Sequence, residues 1–276
     1  MLLLHQTTPI ADWRAWTVHW SVVVGILVTA WLYVRLGGLQ SPRRRVAAFA
    51  GSLLVLFLSL NGPLHNLSDE YLFSAHMVQH LLLTLLFPPL FLYGLGADTV
   101  RRVLEVLQTK WSMEVFAFIT RPIPAAVLFL IPMTAWHVPR FYEAAMRNHD
   151  IHIVQHVTFL VTSVLMWWPV LSPVPELPRA SYPVQMLYLF LLGIPLTLVG
   201  ALITLSGEVL YPFYAEAPLR VWDLSPLTDQ QLGGLIMWVP GGLLFWLVMT
   251  VVWFRWSARS EQGGDPDRAV PLEAYR

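Results

Sequence analysis

The chain has 276 residues, of which 56% are hydrophobic and 12% charged, with 13 Trp, 14 Phe and 9 Tyr and a mean hydropathy of +0.58. Soluble domains carry about 25% charged residues, so this composition disfavours a water-covered enzyme, a nucleic-acid binder and a disordered scaffold alike. Seventeen basic residues balance 17 acidic ones, and the absence of cysteine removes disulfides, iron–sulfur clusters, CxxC metal clamps and thiol nucleophiles. What remains is an all-α, polytopic membrane protein whose first partner is the lipid bilayer.

A hydrocarbon core of roughly 30 Å takes about 20 apolar residues in helical form. Seven stretches qualify, near Thr17–Leu36, Val46–Leu60, Tyr71–Leu95, Pro122–His137, Ile151–Leu171, Pro183–Ser206 and Gln231–Phe254. The second and fourth are short, and Trp111–Thr120 is apolar enough to extend the fourth backwards. Together they predict one transmembrane domain over residues 1–256 and a polar cytoplasmic tail over 257–276. The N-terminus carries neither a basic n-region nor a small-residue cleavage site, so the first span is expected to be retained.

Seven spans sort the loops into two alternating sets. One set holds Arg35, Arg43, Arg44, Arg45, Arg101, Arg102, Lys110, Arg121, Arg179, Arg255, Arg259, Arg268 and Arg276, which is 13 of the 17 basic residues. The other holds Arg14, Arg140, Arg147 and Arg220. Basic loops stay cytoplasmic, which predicts an outer N-terminus and a cytoplasmic C-terminus.

On that arrangement all nine histidines fall in outer loops or toward outer helix ends. Two pairs share a spacing: His76-Met-Val-Gln-His80 near the start of the third span, and His152-Ile-Val-Gln-His156 near the start of the fifth. Residues four apart lie on one helix face, about 5–6 Å apart at Cβ, so two imidazoles can reach one ion. A helix N-terminus disfavours imidazolium, and neutral imidazole is the metal-binding form. A lone HxxxH pair more often hydrogen-bonds to headgroups or neighbouring helices; two such pairs facing one compartment favour a shared metal or haem site. His149 can share the His152 face, His19 and His137 lie near outer helix ends, and His5 and His65 read as loop residues without a periodic partner. Met77 adds a soft thioether suited to Cu(I).

The other polar residues narrow the field. Asp, Glu, Lys and Arg are absent near the midplane of the spans, which argues against a secondary transporter. Asp229, which opens the seventh span with Gln230 and Gln231, reads either as the N-cap of that helix or as a partner orienting a histidine. Pro88-Pro89, Pro132, Pro195, Gly233-Gly234 and Pro240 read as kinks and close-approach points.

Four motifs carry a family resemblance. They are Phe73-Ser-Ala-His-Met-Val-Gln-His80 running on to Pro88-Pro89, Trp136-His-Val-Pro-Arg-Phe-Tyr142, His152 to His156 followed by Trp167-Trp168-Pro169, and Asp229-Gln-Gln-Leu-Gly-Gly-Leu-Ile-Met-Trp238. In collinear order over roughly residues 15–255 they resemble the Bacillus-type CtaG family. The resemblance implies a seven-helix protein of the bacterial cytoplasmic (inner) membrane that assembles cytochrome c oxidase and is not an enzyme. It further implies copper handling, with oxidase subunits or other copper-delivery proteins as partners. The metal residues are then His76, His80, His152 and His156, with His137 and Met77 nearby. The alternative from a different class is a bis-histidine haem protein with iron held between His80 and His156.

Overall fold

The computed structural model describes residues 12–106 and 109–261; His5 and residues 262–276 lie outside them. The described residues are helical throughout, without a strand. The order is α1 (Trp20–Arg35), α2 (Arg43–Ser59), α3 (Gly62–Glu70), α4 (Phe73–Leu81), α5 (Phe87–Val106), α6 (Lys110–Ile119), α7 (Pro122–His137), α8 (Pro139–Arg147), α9 (His149–Leu171), α10 (Tyr182–Thr204), α11 (Pro212–Ala215) and α12 (Pro226–Glu261). A π-turn over Leu82–Leu86 joins α4 to α5.

Four helices are long and apolar enough to cross a bilayer: Phe73–Glu105, α9, α10 and α12. Two bent pairs reach the same standard together, α2 with α3 at 45° and Trp111–Ile119 with α7 at 73°, and α1 is apolar but shorter. The protein is thus a polytopic helical membrane protein. The two short spans of the sequence are the two bent pairs. Residues 111–119 precede α7 at an angle of 73°, a bent pair and not one straight span; Arg121 is extended and Pro122 starts the second helix, because proline favours a first turn and disfavours helical geometry before it. The tail expected from Ser257 begins as the last turns of α12, which runs on to Glu261 with Ser260 Oγ donating to Trp256 O at 3.1 Å.

Packing places α4–α5 against α9 and α12, α9 against α7, α7 against α10, and α10 against α12, so these elements close a ring. α2 stacks outside it on α5, and α1 packs on α2. The ring closes tightly at Gly234, where an added Cβ would lie 2.7 Å from the backbone N of Thr204, so only glycine lets α10 and α12 meet this closely.

The third span shows how proline shapes a membrane helix. Pro88 has no N–H for the Thr84 carbonyl four residues back, and the chain answers with the π-turn. Trp167 of α9 then donates its indole N–H to that same carbonyl at 2.9 Å, as a bilayer interior requires of any freed backbone group. Gly96, after Leu95, adopts φ 68° and kinks the helix, which runs on to Val106.

Arginines lace one end of the bundle. Arg102 donates to Leu36 O at 2.7 Å, Arg45 to Tyr93 O at 3.1 Å, and Arg101 pairs with Glu176 at 2.8 Å. Arg179 and Arg259 both stand over the Tyr182 ring. His76, His80, His137, His152 and His156 lie toward the opposite ends of their helices.

Candidate metal centre

α4 and α9 face each other inside the ring, and each presents two histidines one turn apart. Ring centroids are 4.2 Å apart for His76 and His80, 4.4 Å for His152 and His156, and 5.5 Å for His76 and His152. All four are buried. The ligand atoms of His76, His152 and His156 all lie within 4.8 Å of one another. His152 Nε2 and His156 Nε2 are 3.2 Å apart, close to the ~3.3 Å edge of a tetrahedron with metal–nitrogen arms of about 2.0–2.1 Å.

The second nitrogen of each ring explains why the first is available. His76 Nδ1 faces the Ser68 carbonyl at 3.3 Å, His137 Nδ1 faces the Met133 carbonyl at 2.6 Å, and His152 Nδ1 stands 3.6 Å from Asp69 Oδ2. Carbonyl oxygens only accept, so Nδ1 of His76 and of His137 carries the proton and their Nε2 keeps its lone pair, and the carboxylate favours the same tautomer in His152. A carboxylate behind a histidine is the usual support of a metal ligand. Buried polar atoms are nearly always paired, yet His76 Nε2, both ring nitrogens of His80, His137 Nε2 and both amide atoms of Gln155 lack a partner. Of these atoms His76 Nε2, His137 Nε2, one nitrogen of His80 and the Gln155 amide oxygen offer lone pairs, a concentration that fits a bound cation.

The cluster extends outward through residues that sequence alone did not place there. Asp69 Oδ2 is 3.3 Å from His65 Nε2, and the His65 ring lies 4.3 Å from that of His19. His65, which reads as a bystander in the sequence, belongs to the same string; its signal was Asp69 at the i+4 position on a helix that hydropathy does not reveal. His149 stays at the exposed start of α9. His80 turns inward instead, with its ring 5.8 Å from those of His137 and His156.

Asp229 does not cap its own helix, where Ser225 Oγ accepts from Thr228 N at 3.1 Å. It caps α4: Oδ2 accepts from Phe73 N at 2.7 Å, and Oδ1 from Ser74 N at 3.1 Å and Ser74 Oγ at 2.5 Å. Leu72, at the α4 N-cap, offers no side chain for this, so the carboxylate comes from α12 to the positive end of the histidine helix. Gln230 and Gln231 tie down the backbone at Glu208, Leu210 and Ser206.

Aromatic residues close the outer side of the cluster. The Tyr142 ring is 5.4 Å from that of His76; its hydroxyl donates to Tyr214 Oη at 2.8 Å, and Tyr214 donates to Ser68 O at 2.8 Å. Burial first, and then the neighbouring phenol, pushes Tyr142 well above its ordinary range, and burial does the same to Tyr214. Both remain neutral donors.

Fold and site together define a helical membrane protein with a buried imidazole cluster. Residues 24–259 match the family described as cytochrome c oxidase caa3 assembly factor (Caa3_CtaG), and the chain belongs to it. Curated relatives include proteins called uncharacterized from Mycobacterium bovis and Mycobacterium tuberculosis, each 29% identical over 84% of this chain, and one from Mycobacterium leprae, 25% identical over 88%. The match spans 38% of the length of each of these relatives. No solved structure matches the chain.

Proposed function

We propose that the chain is a non-catalytic assembly factor of the bacterial cytoplasmic membrane that binds copper as cargo at its outer face and delivers it to cytochrome c oxidase. It crosses the membrane seven times, α1 and the two bent pairs included, with the arginine-laced end in the cytoplasm and the N-terminus outside. His76, His152 and His156 hold the ion, Asp69 orients His152, and His80 with His137 and Met77 lies one turn deeper. The observation that carries this reading is the convergence of three buried imidazoles whose ligand atoms lie within 4.8 Å. Without cysteine, the protein has only imidazole and thioether to offer a copper ion. An ion suits the space better than a porphyrin, because the cavity beside His80 holds about 40 Å³.

The test is metal analysis with absorption and electron paramagnetic resonance spectra on the detergent-purified chain after Cu(II) loading and washing. The expected result is one copper per chain with nitrogen hyperfine structure, lost in the H76A/H152A/H156A variant. Equal copper in that variant would overturn the assignment, and a Soret band would replace it with haem.

A further inference from the structure

Below the histidine cluster, on the ring axis, lies a cavity of about 40 Å³. It is larger than the ~10–15 Å³ one water needs. Its walls include Met77 of α4, Met133 of α7 and Met237 of α12, together with His80 and His137. All five side chains are buried, with exposures of 1%, 3%, 7%, 6% and 7%. Three thioethers from three different helices thus surround a space bordered by two imidazoles. Both nitrogens of His80 and Nε2 of His137 have no partner.

Packing alone accounts for a methionine, which fills irregular gaps well. It does not account for three imidazole nitrogens of His80 and His137 left unpaired in an apolar chamber, where a desolvated polar atom without a partner is costly. A ligand that accepts lone pairs from both nitrogen and sulfur resolves this, and softness selects it: thioethers favour Cu(I) over hard cations. We infer that the Met77, Met133, Met237, His80 and His137 chamber is a second metal site, selective for a soft monovalent ion, Cu(I), and reached from the outer imidazole cluster. His76 and His80 stand on successive turns with rings 4.2 Å apart. A Cu(I) ion moving inward exchanges imidazole for thioether with no change of charge and no electron. This inference rests on the reading that the outer cluster takes copper, and its test separates the two.

The full chain in detergent is titrated with Ag(I), a redox-inert mimic of Cu(I), and in parallel with Cu(II); X-ray absorption reads the Ag(I) ligands. Wild type is expected to show a sulfur shell around silver. M133L/M237L, which conserves side-chain volume, is expected to lose that shell and weaken Ag(I) binding by about tenfold or more, equivalent to about 1.4 kcal/mol, while Cu(II) binding stays unchanged. H152A/H156A is expected to do the converse. Silver without sulfur in wild type, or an unchanged sulfur shell in M133L/M237L, overturns the second site. Loss of Ag(I) and Cu(II) together in H152A/H156A also overturns it and leaves a single outer site. Sulfur-bound silver in a wild type that takes no Cu(II) sustains the chamber and removes the outer assignment.

Discussion

Asp69 carries more of the site than its single carboxylate suggests. It stands between His65 and His152, at 3.3 and 3.6 Å, and so joins the outer string of histidines to the buried triad. An anion behind His152 Nδ1 favours the proton on that nitrogen and orients Nε2, the atom that faces His156. Losing such a support typically weakens metal binding by about 10–100-fold. Asp69→Asn, which keeps the shape and removes the charge, is expected to weaken Cu(II) binding by a factor in that range with little change in thermal stability. Competition titration against a chelator of known affinity measures it, and an unchanged affinity would remove Asp69 from the site. Sequence spacing pointed to the buried histidines because i,i+4 pairs declare a shared face. It passed over Asp69, because a lone carboxylate in a short outer segment has no period to betray it.

At the scale of elements, α4 is placed from outside itself. Its first two free N–H groups are satisfied by Asp229 of α12, and Gly233 beside it leaves room for the Phe73 ring. Asp229→Ala leaves those donors buried and unpaired at a cost of about 1–3 kcal/mol. The expected outcome is a lower melting temperature in detergent together with weaker copper binding, and Asp229→Asn, which still accepts hydrogen bonds, recovers part of both. An unchanged melting temperature would show that α4 is held by other means. The extents of α9 and α10 follow from hydropathy, and the kink at Gly96 from glycine placement. The short outer helices α3 and α8 do not: both are mixed in polarity, and their burial comes from packing over the cluster.

For the whole molecule, the ring of α4–α5, α9, α7, α10 and α12 is the feature that periodicity could not supply. A helix that is apolar all round gives no face by which to order its neighbours, and α7 and α10 are of this kind. Orientation, by contrast, is an expectation that rests on the arginines. A chain without cysteine makes that testable with a clean background. A membrane-impermeant thiol reagent applied to intact cells is expected to label a Gly207→Cys variant and spare a Glu105→Cys variant; the reverse pattern would invert the topology. The α12 cap on α4 also sets a schedule. Chains emerge and insert from the N-terminus, and Asp229 lies 156 residues beyond the Phe73 amide it accepts from. Throughout synthesis, then, the histidine helix waits with its first turn unsecured, and the cavity lacks its Met237 side, until α12 arrives. A chain cut before Asp229 is thus expected to leave the first turn of α4 uncapped, however complete the rest of that helix.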